Sequence, residues 1–182
     1  SNGPLGVIGR SGLYIPTFTA AGPTTEALYL EFWRAYTDLR ATKLFPRAGA
    51  TPFNLSVGTG REFAPPWCVE STTPPGCSYS SHSPDWISGT CEVTYNPYCM
   101  ELLAIDATYD EGILPQQVKN NHLNMTVPYL SETNFYDAVT ARADAKLPVL
   151  FYLWAPHPFL LSLSKFIYAS FRDIALFLIE KE

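Results

Sequence analysis

The strongest hydrophobic pattern of the chain is a run of aromatic and aliphatic residues near its carboxyl-terminal third. Val149 to Trp154 is uninterruptedly apolar and is bounded by prolines. Such a run is typical of a strand that is buried on both faces of a sheet. Pro156 and Pro158 end it, because proline cannot donate to a sheet ladder. Trp154 and His157 are therefore predicted where a central strand breaks into a loop, the position at which ligands bind in open α/β sheets.

The amino-terminal half predicts a strand and a helix. The glycine-punctuated segment from Gly6 predicts a short strand that ends at Pro16. Residues 26–39 have apolar and aromatic side chains at helical spacing, and Thr24 or Thr25 stands where a cap would lie. We expect an amphipathic helix there, with its aromatic stripe in the core.

The second half alternates between predicted helices and strands. Residues 96–108 predict a helix, residues 123–128 a strand, and residues 131–145 a helix capped by Ser131. Two interpretations of the tail stay open: a helix over residues 166–179, or a helix or loop followed by a strand over residues 174–179. The alternation predicts an α/β fold with a central mixed sheet flanked by helices.

Composition is that of one globular domain. The 182 residues are 47% hydrophobic and 16% charged, which is enough for a core in a single α/β lobe spanning residues 1–182. The net charge is −5 and no basic patch is present. This balance argues against nucleic acid or an anionic membrane as the main partner.

Four cysteines fall within one segment that is rich in proline, serine, threonine and glycine: Cys68, Cys77, Cys91 and Cys99. An even, clustered set of this kind indicates two disulfides, and three pairings are possible. Residues 71–90 are predicted to be an insertion that these bonds hold in place. A zinc site is disfavoured because no paired C-x-x-C element is present, so we expect no metal.

Two glycosylation sequons agree with a secreted or cell-surface protein. They begin at Asn54 and Asn124. The chain opens without a signal peptide, which is typical of an excised fragment or a mature piece. No apolar stretch is long enough to span a bilayer, so any membrane attachment is expected outside this chain.

The sequence offers little for catalysis. Phosphate-binding, dinucleotide-binding and nucleophile-elbow glycine patterns are missing, and the carboxylates are scattered. An enzyme would need Cys68 as a free thiol beside His157. We therefore expect no enzyme and no cofactor.

Two tryptophans suggest recognition of a cation instead. Trp67 follows Pro65 and Pro66 on a stiffened loop, and Trp154 ends the apolar strand. Indole faces that converge on a cleft bind quaternary ammonium groups through the ring quadrupole. The alternative is that both tryptophans are separate core residues.

The segment from Pro148 to His157 resembles the Trp-x-Pro strand end of substrate-binding proteins of glycine betaine/choline/proline betaine ABC transporters. The segment Ala64-Pro-Pro-Trp-Cys-Val-Glu70 is similar to the proline–tryptophan ligand loop of that family, and Gly9 to Pro16 to the segment that enters its second lobe. The order of the motifs also fits, and the resemblance covers roughly residues 5–160.

The resemblance implies one lobe of a type-II periplasmic-binding-protein fold, with the partner lobe elsewhere. Trp67 and Trp154 would form walls of an aromatic cage, and the backbone N–H groups of Cys68 and Val69 would face a ligand carboxylate. Trp86 competes with Trp67 for the equivalent position, and we count Trp86 and His157 as additional candidate ligand residues.

The expected function is an extracellular binding module for a small quaternary ammonium ligand, of the glycine betaine or choline type. The expected partners are this ligand and a second lobe or partner chain. The competing hypothesis is a structural or interaction module of a glycosylated cell-surface assembly whose cleft does not bind.

Overall fold

The structure, a computed structural model, describes residues 10–20, 28–30, 32–47, 49–51, 86–87, 99–106, 109, 113–162 and 166–169. These residues form an α/β fold with a mixed sheet. The strands are β1 (Arg10–Pro16), β2 (Trp86–Ile87), β3 (Met100–Ile105), β4 (Met125–Val127), β5 (Tyr129–Leu130), β6 (Leu150–Ala155) and β7 (Phe166–Ala169). The helices are α1 (Thr17–Ala20), a 3₁₀ helix (Trp33–Thr37), α2 (Leu39–Thr42), α3 (Ile113–Asn120), α4 (Glu132–Asp144) and α5 (Pro158–Ser162).

Strand β3 is the centre of the sheet. β4 and β5 pair in succession with one side of β3, and β6 pairs with the other side, all in parallel. β1 is antiparallel to β6, β7 is antiparallel to β1, and β2 is antiparallel to β4. The carboxyl ends of β3, β5 and β6 therefore meet at one edge of the sheet.

Two crossover connections cover opposite faces of this sheet. Helix α3 links β3 to β4, and helix α4 links β5 back across β3 to β6. Because parallel crossovers are right-handed, connections that run in opposite directions place their helices on opposite faces. The packing agrees, since Leu114 and Val118 of α3 belong to one core cluster and Phe135 and Val139 of α4 to the other.

Alternation along the central strands divides their side chains between the two clusters. Leu102 and Leu150 contribute to the cluster under α3, whereas Leu103 and Phe151 contribute to the cluster under α4. All four are fully buried. This is the arrangement expected of strands that are covered on both faces.

The two elements with the clearest patterns are confirmed. The predicted buried strand is β6, which lies between β3 and β1 and ends just before Pro156. The predicted capped helix is α4, and the Ser131 side chain accepts a hydrogen bond from the backbone N–H of Asn134 at 3.3 Å. The strand that ends at Pro16 is likewise confirmed as β1 over its described residues.

The helix predicted over residues 96–108 is wrong, because Met100–Ile105 is the central strand β3. The residues are good helix formers, but all six are buried. A segment with strands on both sides and helices over both faces must be apolar throughout, and it gains more from sheet pairing than from its intrinsic propensity.

The helix predicted over residues 26–39 is also wrong. Tyr29 has a positive φ of 49°, and both Phe32 and Asp38 have extended backbone. Only the short 3₁₀ helix Trp33–Thr37 forms between them, and α2 begins after Asp38. The expected core stripe is partial: Tyr36 is fully buried and its hydroxyl donates to the Leu30 carbonyl at 2.6 Å, whereas Phe32 and Leu39 are exposed.

Three further segments differ from the predicted elements or extend them. Helix α3 has no counterpart among the predicted elements. In the tail, Phe166–Ala169 is strand β7, which excludes a helix beginning at Phe166, and residues 174–179 lie outside the described residues. Trp86 and Ile87, within the predicted insertion, pair with β4 at the edge of the sheet.

Candidate functional site

The carboxyl edge of the sheet has the topology of a ligand site. The chain leaves β3 through Asp106 toward α3 on one face, and it leaves the neighbouring β5 through Ser131 toward α4 on the other face. Such a reversal between adjacent parallel strands opens a crevice outside their carboxyl ends. The end of β6, with Trp154, lies beside it.

Trp154 is half-buried at this edge and has aromatic neighbours. The ring of Tyr109 lies 5.2 Å from the Trp154 ring, centroid to centroid, at an interplanar angle of 33°. The His157 ring lies 4.9 Å away, nearly perpendicular at 88°. Trp154 also packs against the core cluster under α4. Trp154 therefore contacts the core and also borders the carboxyl edge, and its role as a wall of a ligand cage stays a prediction.

A hydrogen-bond network joins His157 to helix α4. The Tyr136 hydroxyl lies 3.1 Å from His157 Nε2 and donates to Glu132 Oε1 at 2.7 Å. The backbone N–H of Phe159 donates to His157 Nδ1 at 3.2 Å. The Tyr136 ring in turn stacks on the Phe159 ring, with centroids 4.5 Å apart.

Burial raises the pKa of the Tyr136 phenol, and its hydrogen bond to the Glu132 carboxylate raises that pKa further. Both effects stabilise the neutral phenol. Tyr109 adds a smaller effect in the same direction, so it acts on Tyr136 as well as contacting Trp154. We name Tyr109, Glu132, Tyr136, Trp154 and His157 the carboxyl-edge cluster.

The structure brings together only part of the predicted site. Trp154 and His157 are in contact. Trp86 pairs with Val127 on the far side of β3, so the strand of Trp86 lies three strand spacings, about 14 Å, from the strand of Trp154. The proline–tryptophan loop with Trp67, Cys68 and Val69 lies outside the described residues.

The predicted disulfide and glycosylation residues lie away from the cluster or outside the described chain. Cys99 is buried just before β3 and is disulfide-bonded. Cys68, Cys77, Cys91 and Asn54 lie outside the described residues. Asn124 is half-buried immediately before β4, at the amino edge of the sheet.

Three members of the cluster were not among the predicted site residues. Glu132 and Tyr136 have the i, i+4 spacing that places side chains on one helix face, directly after a strand end. That spacing is a detectable signal once the strand before Ser131 is known. Tyr109 has no comparable signal, because its approach to Trp154 depends on the pairing of β3 with β6.

A second polar cluster lies at the amino edge, and both carboxylate oxygens in it have hydrogen-bond partners. Glu101 of β3 is fully buried and accepts from the Thr51 backbone N–H at 2.7 Å and from the Thr51 hydroxyl at 2.8 Å. Arg142 of α4 donates to the same carboxylate at 3.2 Å and to the Thr51 hydroxyl at 3.2 Å. We name these three residues the amino-edge cluster.

Metal binding and membrane spanning find no support in the part of the chain that the structure describes. There, no three His, Cys, Asp or Glu side chains are grouped so that they could hold a metal ion. The described helices likewise include none with the length and apolar character needed to cross a bilayer. The chain matches no family model, no curated protein and no solved structure.

Proposed function

We propose that this chain is a binding module of an extracellular protein and that it takes a small quaternary ammonium ligand at the carboxyl edge of its sheet. The observation that carries the proposal is the contact between Tyr109 and Trp154 at the reversal of the strand connections. A chain of contacts through His157 and Tyr136 links Trp154 to the Glu132 carboxylate. Aromatic faces next to a negative charge attract a cation that is too weakly hydrated to prefer water.

Ring spacing determines where the ligand sits. Centroids 5.2 Å apart are in the range of direct ring contact, so no trimethylammonium group fits between Tyr109 and Trp154. The Tyr109 side of the pair faces solvent, because that residue is 55% exposed. The ligand therefore contacts the open face of Tyr109 and the rim of Trp154, and the proposed partner lobe closes over it.

The finer fold assignment is part of the same proposal. One lobe of a type-II binding-protein architecture is supported by the mixed sheet and by β1, which comes first in the described chain yet lies inside the sheet, antiparallel to β6. A strand in that position is what a segment entering from a second lobe would form. The extracellular location is supported by the disulfide at Cys99 and by the two sequons.

Calorimetric titration of the full-length protein tests the function. We expect heat with choline, glycine betaine or tetramethylammonium, and at least about tenfold weaker binding of the uncharged analogue of choline in which carbon replaces nitrogen. Folded protein that binds none of these compounds would contradict the proposal and favour the non-binding structural module.

Matched tryptophan variants locate the site. Trp154→Ala should weaken cation binding by up to about thirtyfold, corresponding to about 2 kcal/mol of cation–π attraction. Trp33→Phe, in the core cluster on the other face, should leave binding unchanged. Equal effects of the two substitutions would place the ligand elsewhere.

Disulfide mapping tests the proposed role of Trp67. Cys99 lies at the amino end of β3, about 20 Å along the strand from the level of Trp154. A cage shared by Trp67 and Trp154 requires the adjacent Cys68 to bond Cys77 or Cys91. Peptide mass spectrometry under non-reducing conditions should find Cys99 joined to one of those two, and a Cys68–Cys99 peptide would remove Trp67 from the cage.

A further inference from the structure

The sequon that begins at Asn124 lies at the start of strand β4, and its three residues differ in exposure. Asn124 is half-buried, whereas Met125 and Thr126 are fully buried. The Thr126 hydroxyl is directed at the Met100 carbonyl oxygen, 3.5 Å away. The acceptor residue of the sequon is therefore partly open to solvent, and the residue that completes the sequon is not.

Strand β4 has a neighbouring strand on each side at this point. Thr126 is the register partner of Glu101 in β3 and of Ile87 in β2. Just before the strand, the Asn124 carbonyl accepts from the backbone N–H of Met100 at 3.0 Å. Both backbone edges of the sequon are thus engaged in the sheet, and Thr126 can be reached only when β4 separates from its neighbours.

Transfer of a glycan requires more than an exposed asparagine. The sequon is defined by a serine or threonine two positions after the asparagine, so the transferring enzyme must contact both residues. In the reaction, the asparagine Nδ2 attacks the anomeric carbon of a lipid-diphosphate-linked oligosaccharide. The N–C bond forms, the C–O bond to the diphosphate breaks, and the amide loses one proton. A strand that is paired along both edges cannot enter the groove of such an enzyme.

We propose that Asn124 is a modification site that accepts a glycan only before β4 joins the sheet, and that the folded protein cannot accept one there. Occupancy then depends on the competition between transfer and folding. The inference rests on the extracellular location within the proposed function and is independent of the ligand. A glycan added early is compatible with the fold, because Asn124 keeps exposed surface at the amino edge. That edge is about 20 Å along the strands from the level of Trp154.

The direct test is glycan transfer in vitro to full-length protein that was produced without glycans in a bacterial periplasm. Purified oligosaccharyltransferase and a lipid-linked oligosaccharide are added either to the folded protein or to chain that was reduced and unfolded in urea and then diluted. Mass spectrometry measures glycan at Asn124. We expect transfer to the folded protein to be at least about tenfold slower, because the strand must first open. A peptide of residues 122–128 should be a substrate, and Asn124→Gln should remove the signal.

A pair of variants tests whether opening of β4 limits the transfer. Glu101→Leu weakens the strand beside Thr126 and should raise transfer to the folded protein several-fold, roughly in proportion to the open population. Glu132→Gln, an exposed change at the other edge of the sheet, should leave transfer unchanged. Chain that was glycosylated while unfolded should refold as well as chain treated without donor.

The outcomes are distinct. Equal transfer to folded and unfolded protein would overturn the inference, and so would a peptide and an unfolded chain that both fail as substrates. An unchanged rate in Glu101→Leu, with its lower stability confirmed, would also overturn it. Failure of only the glycosylated chain to refold would show that the fold excludes the glycan. Absence of cation binding would overturn the proposed ligand and leave these results unaffected.

Discussion

The two edges of the sheet each hold a glutamate that accepts hydrogen bonds, but the two environments are opposite. At the amino edge, Glu101 is fully buried and both its oxygens have partners from Thr51 and Arg142. At the carboxyl edge, Glu132 is exposed, and in the described part of the chain it receives one hydrogen bond, from Tyr136.

The difference separates a carboxylate that the fold requires to be paired from one that it does not. A buried carboxylate must be paired, because an uncompensated charge in the interior is costly. The amino-edge cluster meets this condition and joins the loop at Thr51 to β3 and α4. An exposed carboxylate such as that of Glu132 has no such requirement, because water can solvate it.

The largest expected effect is at the amino edge. Glu101→Leu leaves the Arg142 guanidinium and the Thr51 N–H without their acceptor, and should lower the free energy of unfolding by about 3 kcal/mol. Glu132→Leu is the matched substitution at the other edge and should cost less than about 1 kcal/mol, mainly through the helix dipole and the exposed bond to Tyr136. Urea unfolding of both variants measures the difference, and equal losses would contradict the proposed division.

The sequence predicts the elements that have local signals. The run Val149 to Trp154 and the cap at Ser131 each contain the pattern that their structure requires, so β6 and α4 could be placed with little error. Strand β3 could not be placed from the sequence. Its buried Glu101 is stabilised by Thr51 and Arg142, which lie 50 and 41 residues away in the sequence. No local sequence pattern indicates those partners.

The candidate site likewise contains residues that the sequence could indicate and residues that it could not. Trp154 and His157 follow the end of a recognisable strand, which is why sequence could indicate them. Their neighbours Tyr109 and Tyr136 come from different connections, and they meet only because β3, β5 and β6 are parallel and adjacent. Such convergence depends on the order of the strands in the sheet. That order could not be predicted, because the helical propensity of residues 100–105 predicts a helix where the central strand lies.

The next effect concerns the start of α4, which positions Glu132. Ser131→Ala removes the side-chain acceptor of the Asn134 N–H and should lower the free energy of unfolding by about 1 kcal/mol. Choline binding should weaken in the same variant, because the first turn holds Glu132 and supports Tyr136, which lies one turn later. Thr133→Ala, an exposed change in the same turn, is the control and should alter stability by less than about 0.5 kcal/mol. Loss of stability without loss of binding would show that the cap does not position the site.

The smallest effect is the alkaline behaviour of Tyr136, which tests whether its proton is held as the network requires. The pKa of this phenol is raised in the folded protein, above about 10 in the unfolded chain, mainly through burial and then through the bond to Glu132. Its contribution to stability is therefore complete below about pH 10 and is lost as the pH rises through the folded value.

Between about pH 10 and pH 11 the free energy of unfolding should thus fall more for the wild type than for Tyr136→Phe. The difference between the two falls should be less than about 1 kcal/mol, because the Tyr136 ring is only half-buried. Urea unfolding at these two pH values measures the difference. Tyr29→Phe, at a side chain that is 66% exposed, should follow the wild type. If Tyr136→Phe shows the same loss of stability as the wild type, the Tyr136 proton is not held by the cluster. The environment of Glu132 would then be that of any exposed glutamate on a helix.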